Sequence, residues 1–263
     1  MEFKDFVKYT GRMIDLGVRG IILTGGGEPT INPDFDGITR WLECSGVKYG
    51  LNTNFNKYRA CSPSFLKVSL DGFDRESYKK RRGVDSYETV IENIKKYCDF
   101  RDKSKTSLGV QIVVTDFDEI ERFYDSVRDL DVDFIVYRPI EATCGHYSDN
   151  EVQCTVPVIM NAINKLKLHD DRVVLNSKWN QLKTRFLTCS AQWAQLALDE
   201  RGNVMYCCQK PYEIVGHIMD PDILDKKRNF KTDMSKCDIP CRMTASNLIT
   251  EYMSKPMKDG EFI

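Results

Sequence analysis

The stretch that decides the fold of this chain is Ile-Ile-Leu-Thr-Gly-Gly-Gly-Glu-Pro-Thr, residues 21–30. Its apolar start predicts a buried strand, and its glycines predict that the strand ends in a tight, open loop. The peptide groups of Gly25, Gly26 and Gly27 can approach a ligand closely, because glycine has no side chain and accepts positive φ angles without steric cost. Glu28 adds a negative charge at the carboxyl end of the strand, where α/β folds usually hold their ligands.

Two interpretations of this loop are open when it is considered alone. Backbone carbonyls beside a carboxylate suit a cation, above all an ammonium group, because all of these oxygens accept hydrogen bonds. For an isolated glycine-rich loop, a turn with a solvated glutamate is the more economical interpretation. The sequence that follows the loop is therefore needed to distinguish a ligand site from an ordinary turn.

Strands and amphipathic helices alternate through residues 1–140, and each strand is followed by polar or glycine-bearing residues. This alternation is typical of right-handed βαβ units that build a parallel sheet or a partial barrel. The chain opens on a helix, so we expect a first strand to be missing from the array. The predicted strands cover residues 20–24, 48–52, 65–70, 108–115 and 133–137, and the predicted helices cover residues 2–16, 35–45, 86–100, 119–130 and 157–168.

Composition and charge exclude several classes of protein. The 263 residues suffice for one sizeable core, or for a core with a small appendage. The 38 Lys and Arg residues nearly balance the 39 Asp and Glu residues, so the net charge does not indicate a protein that binds nucleic acids or membrane surfaces. No apolar run approaches the ~20 residues of a membrane span, and the N-terminus resembles an amphipathic helix rather than a signal peptide. We expect a cytoplasmic protein without nucleic-acid or membrane partners.

Six motifs at the ends of the predicted strands, or in the loops after them, occur in an order that carries a family resemblance. They are Thr24-Gly-Gly-Gly-Glu-Pro29, Leu51-Asn-Thr-Asn54, Val68-Ser-Leu-Asp-Gly72, Arg82-Gly83, Val113-Val-Thr115 and Tyr137-Arg-Pro-Ile140. Over about residues 1–140, the chain resembles the radical S-adenosylmethionine (SAM) enzymes, whose core is a partial (βα)6 barrel. The resemblance implies an α/β fold with an incomplete radical SAM barrel, lacking its first strand, in residues 1–150. A small α+β, cysteine-rich auxiliary-cluster domain is expected in residues 151–263.

The resemblance implies a set of SAM-binding residues. Gly26, Gly27 and Glu28 resemble the motif that holds the methionyl amino group, which agrees with carbonyls and a carboxylate facing an ammonium group. The full set is Gly26, Gly27, Glu28, Asn54, Ser69, Asp71, Arg81, Arg82, Val113 and Ile140.

The remaining members of this set are assigned to the other parts of SAM by the same resemblance. Ser69, with Arg81 or Arg82, is similar to the pair that binds the SAM carboxylate, and a guanidinium fork suits two carboxylate oxygens. Asn54 and Asp71 match positions that reach the ribose or the substrate. The pair Val113 and Ile140 resembles the apolar residues that sandwich adenine. Considered singly, the polar residues are also compatible with strand-end turns, a cap, or a solvated helix start.

One departure from the family pattern concerns the catalytic iron–sulfur cluster. Radical SAM enzymes hold this 4Fe–4S cluster with three cysteines spaced C-x3-C-x2-C after the first strand. No cysteine precedes Cys44, and the nearest spacing is Cys237-x3-Cys241, where Thr244 occupies the place of the third ligand. A hydroxyl is a poor soft-metal ligand beside thiolates. We therefore expect Met1 to be an internal methionine of a longer parent that carries the catalytic cluster, and we expect this chain alone to be inactive.

The cysteines near the C-terminus form a second constellation. Ten cysteines without a signal peptide are hard to explain as disulfides in a reducing compartment. Cys189, Cys207, Cys237 and Cys241 can close a tetrahedral metal site, with Cys208 as a substitute for its neighbour. This spacing resembles the twitch or SPASM extension of radical SAM enzymes, which implies an auxiliary 4Fe–4S cluster. A structural zinc ribbon on the same residues is the alternative.

The resemblance implies an enzyme whose full-length parent reduces SAM and uses the 5′-deoxyadenosyl radical to remove hydrogen from a peptide, protein or sugar. An electron donor such as flavodoxin or ferredoxin is then a partner. The catalytic residues themselves stay unassigned. The alternative function is a non-catalytic protein that binds SAM or a metal for interaction, or a zinc-ribbon protein on an unrelated α/β domain. Zinc without SAM affinity would favour that last alternative.

Overall fold

The computed structural model describes residues 1–142 and 145–254. The chain divides into two compact units, one formed by Met1–Pro139 with Gln153–Asn176 and the other by Ile140–Val152 with Ser177–Ile263. The helices are α1 Phe3–Asp15, α2 Phe35–Ser45, α3 Arg75–Arg82, α4 Tyr87–Phe100, α5 Glu119–Val127, α6 Val156–His169, α7 Ile223–Asn229 and α8 Thr244–Ser254. The strands are β1 Gly20–Leu23, β2 Lys48–Thr53, β3 Phe65–Ser69, β4 Ser107–Val113, β5 Phe134–Arg138, β6 Val173–Leu175, β7 Ala197–Leu198, β8 Asn203–Met205 and β9 Ile214–His217.

The first unit is built on a six-stranded parallel sheet in the order β1-β2-β3-β4-β5-β6. The predicted α/β class and the parallel sheet are therefore confirmed. Strand β6 is absent from the predicted strands, because the run Val173–Leu175 is too short to show a period in the sequence. Helix α3 is likewise absent from the predicted helices, because its sequence is almost entirely polar.

One face of this sheet is the apolar core of the first unit. Residues of that face alternate along each strand and pack beneath the helices, as parallel strands with crossover helices require. Complete burial of each large apolar side chain stabilises the fold by about 1.5–3 kcal/mol. The buried residues on this face are Ile21, Tyr49, Leu51, Leu66, Val68, Leu70, Leu108, Val110, Ile112, Val114, Ile135, Tyr137 and Val173.

The ends of α3 are set by local hydrogen bonds that position two arginines. The helix begins in a capping box, in which Asp74 Oδ1 accepts from Ser77 N at 2.7 Å and Ser77 Oγ accepts from Asp74 N at 3.1 Å. It ends at Gly83, whose φ of +73° lies in the left-handed region that favours glycine. Arg81 and Arg82 therefore stand in the last turn of α3, so their alternative interpretation as a solvated helix start is wrong.

The second unit contains a small antiparallel sheet in the order β7-β8-β9. The predicted hairpin over residues 196–206 is confirmed by the pairing of Ala197 with Met205 and of Leu198 with Val204. Its turn needs Gly202, because the φ angle there is +83°. Within the described residues, no helix is both long enough and apolar enough to cross a membrane.

Candidate functional site

A cavity of about 280 Å³ opens at the carboxyl ends of the first three strands of the parallel sheet. Parallel α/β sheets place their ligands at this edge. The cavity is lined by Thr24, Gly25, Gly26, Gly27, Glu28, Asn52, Thr53, Asn54, Ser69 and Arg82. Six of the ten predicted SAM-binding residues are thus brought together, namely Gly26, Gly27, Glu28, Asn54, Ser69 and Arg82. Asp71, Arg81, Val113 and Ile140 are not part of this lining.

The glycine loop excludes a side chain at one position and is open at the next two. Gly25 has a φ of +59°, and a Cβ atom there would lie 2.5 Å from the carbonyl oxygen of Gly27, so a side chain is excluded at Gly25. A Cβ atom at Gly26 or Gly27 would meet no protein atom within 4 Å. The last two glycines therefore expose their peptide groups to whatever occupies the cavity.

The Glu28 carboxylate ties this loop to the end of β2. Its Oε1 atom accepts hydrogen bonds from Thr30 N at 3.1 Å, Thr30 Oγ1 at 2.8 Å and Thr53 Oγ1 at 2.6 Å. Its Oε2 atom accepts from Asn54 N at 2.7 Å. The sequence predicts a carboxylate directed at a ligand, whereas the structure uses most of its acceptor capacity to hold two loops together. The remaining acceptor capacity lies on Oε2.

Glu28→Gln is expected to lower the free energy of unfolding by about 1–3 kcal/mol, because a glutamine side chain has a single acceptor oxygen and leaves donors unsatisfied. The unfolding midpoint in urea measures the effect. Glu76→Gln, at an exposed position of α3, is the matched control and should change stability by less than about 0.5 kcal/mol. Equal midpoints for Glu28→Gln and the unmodified chain would contradict this role.

Arg82 is held in the cavity wall by Asp71. One guanidinium nitrogen of Arg82 donates to Asp71 Oδ2 at 2.6 Å and to the Ser69 carbonyl oxygen at 2.8 Å. The other carboxylate oxygen of Asp71 accepts from Val113 N at 2.9 Å. The Nε atom of Arg82 is buried and has no hydrogen-bond partner. The ion pair with Asp71 thus holds the Arg82 guanidinium in place, and the Nε atom of Arg82 remains a donor without an acceptor.

Arg81 makes a different set of contacts. Its guanidinium donates to the Val113 carbonyl oxygen at 2.9 Å and to Thr115 Oγ1 at 2.6 Å, and it forms an ion pair with Glu119. Burial raises the pKa of the Glu119 carboxyl, but hydrogen bonds from Arg81 and the Thr115 amide outweigh burial and hold this pKa below its usual range. Arg81 therefore joins the end of α3 to the start of α5.

Asn52 is a lining residue that lies in the motif Leu51-Asn-Thr-Asn54 but is absent from the predicted SAM-binding set. Its Oδ1 atom is buried without a hydrogen-bond partner, while its Nδ2 atom lies 3.5 Å from Thr24 Oγ1. Buried polar atoms without partners are uncommon, because each costs the free energy of its lost hydration. Asn52 lies on β2 two positions before Asn54, which directly follows the end of the strand. The period of two along extended backbone was a signal that could have identified Asn52.

The predicted metal ligands lie in the second unit, and their thiols influence one another. Burial raises the pKa of Cys241, and the neighbouring thiolates of Cys189 and Cys237 raise it further. Burial also raises the pKa of Cys237, with Cys189 as one contributor. These mutual effects place the thiols within electrostatic reach of each other. In the described part of the chain, however, no three His, Cys, Asp or Glu side chains form a group that could hold a metal ion.

The neighbouring cysteines of the β8–β9 loop share a hydrogen bond. This bond to Cys208 raises the pKa of Cys207 well above its ordinary value, and burial adds to the effect. The same bond lowers the pKa of Cys208 to about 6 despite its burial, and Arg242 also favours the thiolate. At the position of the missing third ligand, Thr244 Oγ1 donates to the Cys241 carbonyl oxygen at 2.8 Å. Four thiols are suitable ligands for zinc or an iron–sulfur cluster. To bind one, they would have to move closer together than they are in this structure.

Comparisons with known proteins give relatives in sequence and in fold. No protein-family model matches the chain. A "Probable GTP 3',8-cyclase" of Saccharolobus islandicus is 34% identical over 93 residues, which cover 32% of this chain and 30% of the relative. One of the same description from Pyrococcus horikoshii is 35% identical over 102 residues, covering 36% of this chain and 32% of the relative. These alignments therefore span about a third of the curated relatives' length.

The solved structures extend the likeness to most of the chain. "Native anSMEcpe with bound AdoMet" matches with a TM-score of 0.61 at 13% identity and covers 88% of this chain and 72% of that chain. SuiB of Streptococcus suis bound to S-adenosylmethionine matches with a TM-score of 0.63 at 14% identity, covering 90% and 64%. At this level of identity, the likeness shows the fold. The curated relatives and these structures together support the radical SAM superfamily that the strand-end motifs indicate.

Proposed function

We propose that the cavity at the ends of β1, β2 and β3 binds S-adenosylmethionine. The observation that carries the proposal is the combination of an open glycine loop with two buried polar atoms in the same wall, Asn52 Oδ1 and Arg82 Nε, that lack partners. A zwitterionic methionyl group supplies both an ammonium donor and a carboxylate acceptor, so it would satisfy unpaired atoms of both kinds.

Within this proposal, the residues divide between the two ends of the methionyl group. The exposed peptides of Gly26 and Gly27, with Oε2 of Glu28, hold the ammonium group, as the sequence motif predicts. Ser69 and Arg82 hold the carboxylate. Of the two arginines that the sequence left open, Arg82 is favoured, because Arg81 is bound to Glu119 and lies outside the cavity lining. Val113 and Ile140 remain the proposed neighbours of adenine, and Asn54 and Asp71 those of the ribose or substrate.

The chain is proposed to be part of a radical SAM enzyme. SAM, reduced by an iron–sulfur cluster, would supply the radical that abstracts hydrogen, and the protein would bind, orient and shield the reactants. The 263 residues contain no C-x3-C-x2-C motif, so we propose that they do not cleave SAM reductively by themselves. The activity then belongs to a longer parent, with flavodoxin or ferredoxin as the electron donor, in the cytoplasm.

The proposed substrate is a peptide, a protein or a sugar. A fold neighbour, "Native anSMEcpe with bound AdoMet and Cp18Cys peptide", matches with a TM-score of 0.63 at 12% identity and covers 100% of this chain and 78% of that chain. This likeness supports a peptide. The curated relatives carry the name of enzymes acting on GTP, so a nucleotide is the competing substrate that binding experiments need to include.

Isothermal titration calorimetry with SAM and with S-adenosylhomocysteine tests the proposal. Saturable binding of both is expected, and Arg82→Met should weaken it roughly 10- to 100-fold through loss of a charge-assisted hydrogen bond. Arg40→Met, at an exposed position of α2, is the matched control and should leave the affinity within about threefold. The proposal fails if the unmodified chain shows no saturable binding, or if both variants lose affinity equally.

The alternative is a non-catalytic protein that binds SAM or a metal for interaction, with a structural zinc ribbon. The missing C-x3-C-x2-C motif is the observation that favours it. The enzyme and the non-catalytic protein can be distinguished by supplying a segment with the three-cysteine motif. This segment is added in trans, or is present in a longer natural version of the protein. Reductive SAM cleavage by the completed protein supports the enzyme, and SAM binding without cleavage supports the alternative.

A further inference from the structure

Three lysines in the described part of the second unit are buried, although lysine is rarely buried without a partner of opposite charge. They are Lys178, Lys210 and Lys227, which are 8%, 7% and 2% exposed. Lys178 forms an ion pair with Glu141, and Lys210 forms one with Glu213 at 3.0 Å. Lys227 is the most deeply buried of the three, and it has no ion pair with a carboxylate of the described residues.

Helix α7 carries Lys227 on its buried face, one turn after Ile223. The ammonium nitrogen of Lys227 donates to the Tyr206 carbonyl oxygen at 3.2 Å and lies 6.0 Å from the centre of the Tyr206 ring. A carbonyl oxygen and an aromatic ring both attract a cation, but neither carries a negative charge. Because an ammonium group loses its hydration when it is buried, these two contacts leave Lys227 without the counter-charge that its burial requires.

The position of Lys227 brings its charge to the predicted metal ligands. The Tyr206 carbonyl belongs to the peptide bond that joins Tyr206 to Cys207, so the ammonium group lies against the backbone of a predicted ligand. Burial lowers the pKa of Lys227, and the thiolates of Cys207 and Cys189 act in the opposite direction. The anionic groups that act on Lys227 are therefore the thiolates of two predicted metal ligands.

Two of the predicted ligands also receive hydrogen bonds that suit a thiolate. The backbone N–H of Gln209 donates to Cys207 Sγ at 3.5 Å, and the backbone N–H of Met243 donates to Cys241 Sγ at 3.3 Å. In both pairs the donor stands two residues after the cysteine. Groups that surround the ligands of a metal orient these ligands and tune the metal, and hydrogen bonds to sulfur shift the potential of iron–sulfur clusters. The surroundings of these sulfur atoms therefore favour negative charge on them.

We propose that Lys227 supplies the buried positive charge that balances a thiolate-bound metal on Cys189, Cys207, Cys237 and Cys241. Four thiolates carry more negative charge than a zinc ion or an iron–sulfur core neutralises. A cation held in the low-dielectric interior beside them offsets the excess, because Coulomb interactions are strong there. Lys227 is thus a positioning residue that acts through the charge of the ligands. This inference rests on the prediction that the four cysteines bind a metal, and it is independent of the SAM site.

Lys227→Met removes the charge and keeps a long side chain, so it tests the proposal in the full chain reconstituted anaerobically with iron and sulfide. For an iron–sulfur cluster, the midpoint potential is measured by redox titration. Because the reduced cluster carries one more negative charge, loss of Lys227 should disfavour reduction about tenfold, which lowers the midpoint potential by about 59 mV. For a chain that holds zinc without sulfide, the zinc affinity is measured by competition with a chromophoric chelator. Lys227→Met should then weaken it roughly 10- to 100-fold.

Two further variants separate the charge of Lys227 from its packing. Lys227→Arg keeps the charge and should hold the reduction equilibrium, or the zinc affinity, within about threefold of the unmodified chain. Lys226→Met is the matched control on the same helix, because the Lys226 side chain is 41% exposed and pairs with Asp220 and Asp222. It should also stay within about threefold. Lys227→Gln replaces a methionine variant that does not fold.

The outcomes distinguish the role of Lys227 from the metal site itself. An unchanged potential or zinc affinity in Lys227→Met would overturn the role of the Lys227 charge and leave the metal site in place. An equal loss in Lys227→Arg or in Lys226→Met would overturn it as well. A lysine with a merely structural role would lower the unfolding midpoint of the metal-free chain without changing either readout. A chain that takes up neither iron nor zinc would overturn the metal site, and this inference with it.

Discussion

Anaerobic reconstitution of the chain with iron and sulfide is expected to yield about four irons and four sulfides per chain. The proposed ligands are Cys189, Cys207, Cys237 and Cys241, which lie in one compact unit. Burial raises the pKa of Cys237 and Cys241, and the hydrogen bond to Cys208, with burial, raises that of Cys207. Repulsion from other thiolates of this set adds to each shift, and a bound metal would stabilise the thiolates together. Metal binding should draw these side chains into ligating geometry.

Cys237→Ala is expected to lower the iron and sulfide content strongly, because it removes one of the four proposed thiolate ligands of the site. Cys44→Ala is the matched control, since Cys44 is exposed in the first unit, and it should keep the full content. Iron, acid-labile sulfide and zinc are counted per chain. Cys208→Ala tests the substitute ligand, and a loss equal to that of Cys237→Ala would assign Cys208 in place of Cys207.

Two outcomes of the same count would change the assignment. One zinc per chain without sulfide would indicate that the four cysteines form a structural zinc ribbon. The glycine loop would then be the remaining support for SAM binding. No metal in the reconstituted chain would show that the four cysteines are not ligands. The calorimetric test of SAM is independent of both outcomes, because the cavity lies in the first unit.

Arg101→Met is expected to destabilise the chain by about 1–3 kcal/mol, because two carbonyl groups lose a buried donor and the half-exposed Asp133 carboxylate loses its charged partner. The Arg101 side chain is 0% exposed. It donates to the carbonyl oxygens of Thr106 at 3.0 Å and Asp131 at 2.8 Å, and it pairs with Asp133. These contacts join the end of α4 to the turn before β4 and the turn before β5. Their loss removes the guanidinium donor from two carbonyl groups and from Asp133, whose Oδ2 atom still accepts from Leu108 N at 2.7 Å.

Thermal unfolding followed by circular dichroism measures this effect. For a chain of this size, the melting temperature should fall by roughly 2–12 °C. Arg128→Met is the matched control, because the Arg128–Asp125 pair is exposed, with side chains 54% and 62% accessible. An exposed pair contributes at most about 1 kcal/mol. Similar melting temperatures for the two variants would contradict the structural role of Arg101.

Local sequence patterns were sufficient for much of the fold. The alternation of strands and helices, the glycine loop after β1 and the turn at Gly202 depend on residues close together in the chain. The order of the strand-end motifs was sufficient to indicate the superfamily. The polar helix α3 and the three-residue strand β6 were not predictable, because the first shows no apolar face and the second is too short to show a period.

What the sequence alone determined was therefore the set of strand-end residues that face one edge of a parallel sheet. Only the tertiary structure decided which partners these residues bind and which of them line the cavity. It bound Glu28 to Thr53 and Asn54, directed Arg82 rather than Arg81 into the cavity wall, and placed Asn52 beside Lys67. The physical reason is that such contacts depend on register between strands separated by a helix or a loop. No local pattern encodes that register.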